Sequence, residues 1–204
     1  MKSMAFIDFQ NFDISMRNYL SYKKEKSFHI NYLKLTNQIN DRIHLSSTLM
    51  KTYLFAYKPC EELMKLPHHQ GYYNWLSGMK NKPFIEVIEG SQEIRPASKD
   101  IKIDINDNTT YTTEEKGTDI NLAVNMVSKG YQNAYDIAIL ISGDTDYIPV
   151  VRELHHIGKI VVLATLPNQN ISKYDEYMDA HINIDLGVLR TCEIKNSKKI
   201  IFCE

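Results

Sequence analysis

Tyr135-Asp136-Ile137-Ala138-Ile139-Leu140-Ile141-Ser142-Gly143-Asp144-Thr145-Asp146-Tyr147 is the stretch that sets the architecture. Ile137 to Ile141 is apolar at consecutive positions rather than at alternate ones, the mark of a strand covered by helices on both faces. At Ser142-Gly143 the pattern breaks into a tight turn, and two aspartates follow at once. On either side of this stretch lie further short runs rich in β-branched and aromatic residues: Met4 to Ile7, Met50 to Tyr57, Phe84 to Ile88, Ile160 to Thr165 and Ile182 to Ile184. Helical patterns alternate with them at about 12–20, 29–44, 68–81, 119–129, 146–157 and 171–178. Such alternation predicts βα units on a mainly parallel sheet, an α/β domain.

Within the 119–129 segment, Ile120, Ala123, Val124 and Val127 share one face at helical spacing, with Thr118 as the expected N-cap and Gly130 as the C′ stop. The stretch from Ser91 to Glu115 is polar, contains Pro96 and alternates at Ile101, Ile103 and Ile105. With the turn signal Asn106-Asp107-Asn108, it reads as an irregular hairpin excursion. At about 150 residues per domain, the 204 residues make one domain. The expected division is a folded unit over 1–186 with the excursion at about 91–115, followed by a C-terminal tail over 187–204 that exposes Lys195 to Lys199.

A hydrophobic share of 43% and a charged share of 24% are ordinary for a globular chain and exclude a disordered one. No window approaches 18 consecutive apolar residues, and Lys2, Asp8 and Asn11 interrupt what would be a signal-peptide core, so a cytoplasmic protein without membrane contact is expected. Cys60, Cys192 and Cys203 are an odd set without C-x-x-C spacing, which argues against a disulfide framework or a cysteine-rich zinc site. A formal charge of −1 excludes a globally basic nucleic-acid clamp but not a local basic face.

The chemistry lies in the carboxylates. Asp8 follows the first apolar run directly, and Asp144 and Asp146 follow the central one. Asp119 falls in the first turn of a helix, where the macrodipole favours an acid. In an open α/β sheet the carboxyl ends of the strands share one edge, where ligands bind at the reversal of strand order. Four acids from three segments are thus expected to converge on one site. Their mutual repulsion calls for a cation, and an all-oxygen donor set selects Mg²⁺ or Mn²⁺ over zinc. That points to phosphoryl transfer or phosphodiester hydrolysis. Taken singly, each acid also has a plain structural role: Asp146 or Thr145 as an N-cap, Asp119 as a complement to the helix dipole.

Phe6-Ile7-Asp8-Phe9-Gln10-Asn11, Lys116-Gly117-Thr118-Asp119-Ile120-Asn121-Leu122-Ala123 and Ile141-Ser142-Gly143-Asp144-Thr145-Asp146-Tyr147, in this order, resemble the NYN domain, the LabA-like branch of the PIN-like nuclease superfamily. The resemblance runs from about residue 4 to 186. It implies a PIN-like three-layer sandwich around a mainly parallel sheet and a metal-dependent ribonuclease, endonucleolytic, that leaves a 5′-phosphate. By position, Asp8, Asp119, Asp144 and Asp146 would be the catalytic acids that hold Mg²⁺ or Mn²⁺. Asn11 would shape the pocket, Ser142 and Thr145 would support the acids, and Lys116 would contact a phosphate of RNA or stand solvated. Many members have glycine where this chain has Phe9, whose ring would narrow the pocket, stack on a base or enter the core. A non-catalytic RNA-binding or regulatory module, and a phosphatase for small esters, are the rival readings. The phosphatase lacks its Asp-x-Asp-x-Thr signature, because Gln10 stands two residues after Asp8. A homodimer is one possible assembly.

Other residues carry less. The pairs His68-His69 and His155-His156 point about 100° apart on a helix and do not suit one metal. Tyr72, Tyr73 and Trp75 beside Lys80 and Lys82 would serve either as core or as an RNA-stacking surface. Lys23, Lys24 and Lys26 form a solvated basic loop.

Overall fold

The structure, a computed structural model, describes residues 1–195. Cys203 and most of the Lys195 to Lys199 stretch lie outside the described residues. Seven strands form one sheet in the order β4-β3-β2-β1-β5-β6-β7: β1 (Lys2–Asp8), β2 (Thr48–Lys58), β3 (Ile85–Pro96), β4 (Tyr111–Lys116), β5 (Ile137–Ile141), β6 (Ile160–Thr165) and β7 (Ala180–Asn183). All neighbours are parallel except β3 and β4. The expected α/β architecture on a mostly parallel sheet is therefore present.

Helices cover both faces. On one side α1 (Phe9–Tyr22), α2 (Tyr32–Asp41), α3 (Pro67–Lys80) and α6 (Leu186–Cys192) bury Met16, Leu20, Leu35, Leu76 and Val188 against Ile7, Leu54 and Ile139. On the other, α4 (Thr118–Tyr131) and α5 (Ile148–His156) bury Leu122, Met126, Val151 and Leu154 against Phe6, Phe55, Leu140 and Leu163. All five residues of β5 are buried, which explains the unbroken apolar run.

Several boundaries differ from expectation for physical reasons. Helix α1 begins at Phe9, not near residue 12, because the Asp8 side chain accepts from the Asn11 amide and caps the helix directly. Thr118 is not the N-cap of α4. Gly117 takes that position with φ of 80°, a left-handed conformation that costs glycine little. Gly130 does not stop α4 but lies buried in its last turn, where an added Cβ would sit 2.9 Å from Leu154 Cδ2 and 3.0 Å from Ile157 Cδ1. The expected helix at 146 begins as a short 3-10 turn at Thr145–Tyr147, and in place of the expected helix at 171–178 there is only a 3-10 turn at Ser172–Tyr174 followed by turns. The chain from 187, read as a tail, continues α6, whose Val188, Leu189 and Cys192 are buried.

The polar excursion is an ordered arm. Strand β3 leaves β2 at the Lys58–Ser91 pair, and Ser91–Pro96 then pairs with Tyr111–Lys116 beyond the carboxyl edge of the sheet. The arm returns the chain to that edge at Gly117 and so delivers α4 and Asp119 to it.

Candidate active site

Strand order reverses around β1, which lies between β2 and β5. The crevice at the carboxyl ends of β1 and β5 is the expected place for a ligand in such a sheet. Asp8 stands there as the last residue of β1, only 4% exposed. Its Oδ1 accepts the Asn11 amide at 3.2 Å, and its Oδ2 accepts the Ser142 hydroxyl at 3.1 Å. Ser142 Oγ in turn accepts the Asp144 amide at 3.1 Å, while Asp144 Oδ1 accepts the Asp146 amide at 3.0 Å. One chain of hydrogen bonds therefore runs from the end of β1 through the Ser142-Gly143-Asp144 turn.

Asn11 anchors the turn from the other side. Its Oδ1 accepts the Gly143 amide at 3.0 Å and Gln169 Nε2 at 2.7 Å, and Gln169 Oε1 accepts the Leu166 amide at 2.9 Å. Gln169 packs onto Gly143 so closely that a Cβ there would lie 2.4 Å from Nε2. The Tyr174 hydroxyl donates to the carbonyl oxygen of Asp144. Of the expected supporting residues, Asn11 and Ser142 touch this framework. Thr145 makes no side-chain hydrogen bond among the described residues.

Tyr147 joins the acids. Buried to 2% exposure, its hydroxyl lies 3.3 Å from Asp8 Oδ2 and 3.1 Å from Asp119 Oδ1, linking β1 to the start of α4. A phenol has one proton, so it satisfies one of those oxygens and leaves the other facing a lone pair. Burial pushes the Asp8 carboxyl from the ordinary 3.8 up to about 6; the Asn11 amide and Ser142 hydroxyl oppose this, and repulsion from Asp119 reinforces it. Glu115 is pushed up to about 7, first by burial and then by Asp8 and Asp119. The Thr118 hydroxyl offsets part of this without reaching regular hydrogen-bond geometry.

The site is thus short of positive charge, and its donors are all oxygen. That donor chemistry fits a hard divalent cation. Among the described residues, no three acids already converge on one point, so holding an ion requires their side chains to move together. Asp119 and Asp146 are exposed and Asp144 is half-buried, which leaves them room to do so.

Residues whose role the sequence left open have the following contacts. Lys116 does not stand free over the pocket, because its ammonium pairs with Glu93 at 2.6 Å on the outer face of the arm. Phe9 is core: 6% exposed, its ring sits 4.9 Å from Trp75 and 5.9 Å from Tyr72. Tyr72 and Trp75 belong to that core too, whereas half-buried Tyr73 has the ammonium groups of Lys58 and Lys80 at 5.7 and 5.8 Å from its ring centre. His68 and His69 lie ring to ring, and His155 pairs with Asp179 at 2.9 Å. Glu115, Gln169 and the roles of Tyr147 and Tyr174 went unread. Glu115 had one usable signal, since in a strand it must face opposite to Lys116.

The NYN domain family profile matches residues 2–185. The chain belongs to the NYN domain family. That family is part of the PIN-like nuclease superfamily, as the three motifs suggested. Comparison with curated proteins gives no match. Among solved structures, a protein of unknown function from Vibrio parahaemolyticus superposes with a TM-score of 0.54 at 16% identity, over 91% of this chain and 93% of that one. At that identity the likeness shows the fold alone. No helix among the described residues of this NYN protein is long and apolar enough to cross a membrane.

Proposed function

We propose that this NYN domain is a metal-dependent ribonuclease that cuts RNA internally. The observation that carries the reading is the buried Asp8 carboxylate, tied by Ser142 to the Asp144 turn and by Tyr147 to Asp119 at the switch point of the sheet. Asp8, Asp119, Asp144 and Asp146 would hold Mg²⁺ or Mn²⁺. Such an ion, when bound, offsets phosphate charge and lowers the pKa of a coordinated water. The chain's own contribution is placement. Asn11 and Gln169 fix the Gly143 turn, so Asp144 and Asp146 project from a rigid base, while Asp8 is held through both carboxylate oxygens.

A non-catalytic RNA-binding module is the second reading, favoured by the lack of three acids converging among the described residues. The test is cleavage of labelled single-stranded and hairpin RNA with Mg²⁺, Mn²⁺ or EDTA, beside Asp144→Asn. Asparagine retains the Oδ1 that accepts the Asp146 amide, so the variant keeps its melting temperature. Its rate should fall below roughly one hundredth of wild type, since the charge on an acid that holds the ion is worth several kcal/mol. Equal cleavage by both proteins assigns the activity to a contaminant, and RNA binding without cleavage under any ion favours the second reading.

A further inference from the structure

The arm formed by β3 and β4 sorts its charges by face. Side chains of an antiparallel pair alternate, and directly opposed residues share a face with Cβ atoms about 5 Å apart. The register opposes Ser91 to Lys116, Glu93 to Glu114 and Arg95 to Thr112 on one face, and Gln92 to Glu115 on the other. Both cations of the paired segments are used on the first face, Lys116 with Glu93 at 2.6 Å and Arg95 with Glu114 at 2.7 Å. Glu115 is left on the second face without an ion pair or a regular hydrogen bond among the described residues.

That second face is turned to the site. Gly90, in step with Gln92 along β3, lies against the start of α4: a Cβ there would fall 2.2 Å from Thr118 Oγ1 and 2.9 Å from the Thr118 amide. Glu115 precedes Asp119 by four residues across the Gly117 turn and interacts electrostatically with both Asp8 and Asp119. Beside it, Gln92 is only 8% exposed, yet its Oε1 finds no donor among the described residues. A buried acceptor without a donor next to a carboxylate without a cation costs stability unless something positive or proton-bearing enters from outside the chain.

We propose that Glu115, backed by Gln92, is a fifth acid of the site and holds a divalent cation together with Asp8 and Asp119. Gln92 would accept a hydrogen bond from water on that ion, fixing it against the arm. This inference rests on the metal-dependent reading of the same crevice.

The test is Mn²⁺ binding to the purified 204-residue chain without RNA, followed by electron paramagnetic resonance of free Mn²⁺. Glu115→Gln should weaken binding by about tenfold or more, and Gln92→Met by less. Glu114→Gln, on the outer face, should bind as wild type. Should Glu115→Gln fail to fold, Glu115→Asp, which draws the carboxylate back by one methylene, carries the test with an intermediate loss. Wild-type affinity in the folded Glu115 variants, or no Mn²⁺ uptake by wild type, overturns the inference. If Mn²⁺ binding depends on Glu115 but no RNA is cut, this inference stands and the nuclease reading falls. If RNA is cut and Mn²⁺ binding ignores Glu115, the reverse holds.

Discussion

Asp8 shows how one side chain can be costly for folding and useful for binding. An aspartate at the buried end of a strand pays desolvation, and the Asn11 amide and Ser142 hydroxyl recover part of it. Because its carboxyl titrates near 6 in the folded chain against 3.8 ordinarily, the folded state binds this proton more tightly than the unfolded state. Stability of the metal-free chain should therefore fall as pH rises from about 4 to 6, and Glu115, near 7, should extend the fall. Thermal melts in EDTA of wild type and Asp8→Asn check this. The variant should gain on wild type by on the order of 2 kcal/mol between about pH 4 and pH 7. Adding Mn²⁺ at the upper pH should stabilise wild type more than the variant. A constant difference across that range would contradict the assigned burial cost.

At the scale of elements, the arm and α4 act as one positioning unit. Gly90 is the point of closest approach between β3 and the start of α4, with Lys116 O at 2.7 Å and Thr118 Oγ1 at 2.2 Å from where a Cβ would be. Two of the three crowding atoms are backbone, so the strain has no flexible outlet. Gly90→Ala should cost about 1–3 kcal/mol in chemical denaturation. It should also reduce RNA cleavage in protein that remains folded, because the displaced turn carries Asp119. Full activity in folded Gly90→Ala would mean that the position of Asp119 tolerates movement. Gly143 is less demanding, since what crowds it is the Gln169 side chain rather than backbone.

For the molecule as a whole, stability is concentrated in the doubly covered sheet. Leu140, fully buried in β5, packs with Phe6, Leu122 and Leu163 beneath the site. Leu140→Ala should cost about 2–5 kcal/mol, enough to deplete the folded population. Ile103, 39% exposed in the loop of the arm, should change stability by less than about 0.5 kcal/mol when replaced by serine. Denaturant melts of the two variants would separate core from arm, and equal losses would place the arm loop within the cooperative core.

Local pattern in the chain was enough to read the α/β class, most strands and the acid positions at strand ends. Burial on both faces leaves an unbroken apolar run, as in Ile137 to Ile141, and chemistry at a strand end breaks it, as at Asp144. The motif pattern around Asp8, Asp119 and Asp144 was equally legible. Which neighbour each side chain meets was not, because that depends on contacts between residues far apart in sequence. Asp8 and Ser142 are 134 positions apart, and Tyr147 reaches Asp8 across 139. The same holds for Lys116, whose partner Glu93 is set by the β3–β4 register, and for Gly130, which is required by the packing of α5 rather than by the end of α4. Periodicity marked the buried strand β5 but picked the wrong face of α4, where Ile120 and Val124 are exposed and Leu122 and Met126 are buried; only the packed sheet fixes what each side chain meets, and it left Glu115 facing the acids with no cation of its own among the described residues.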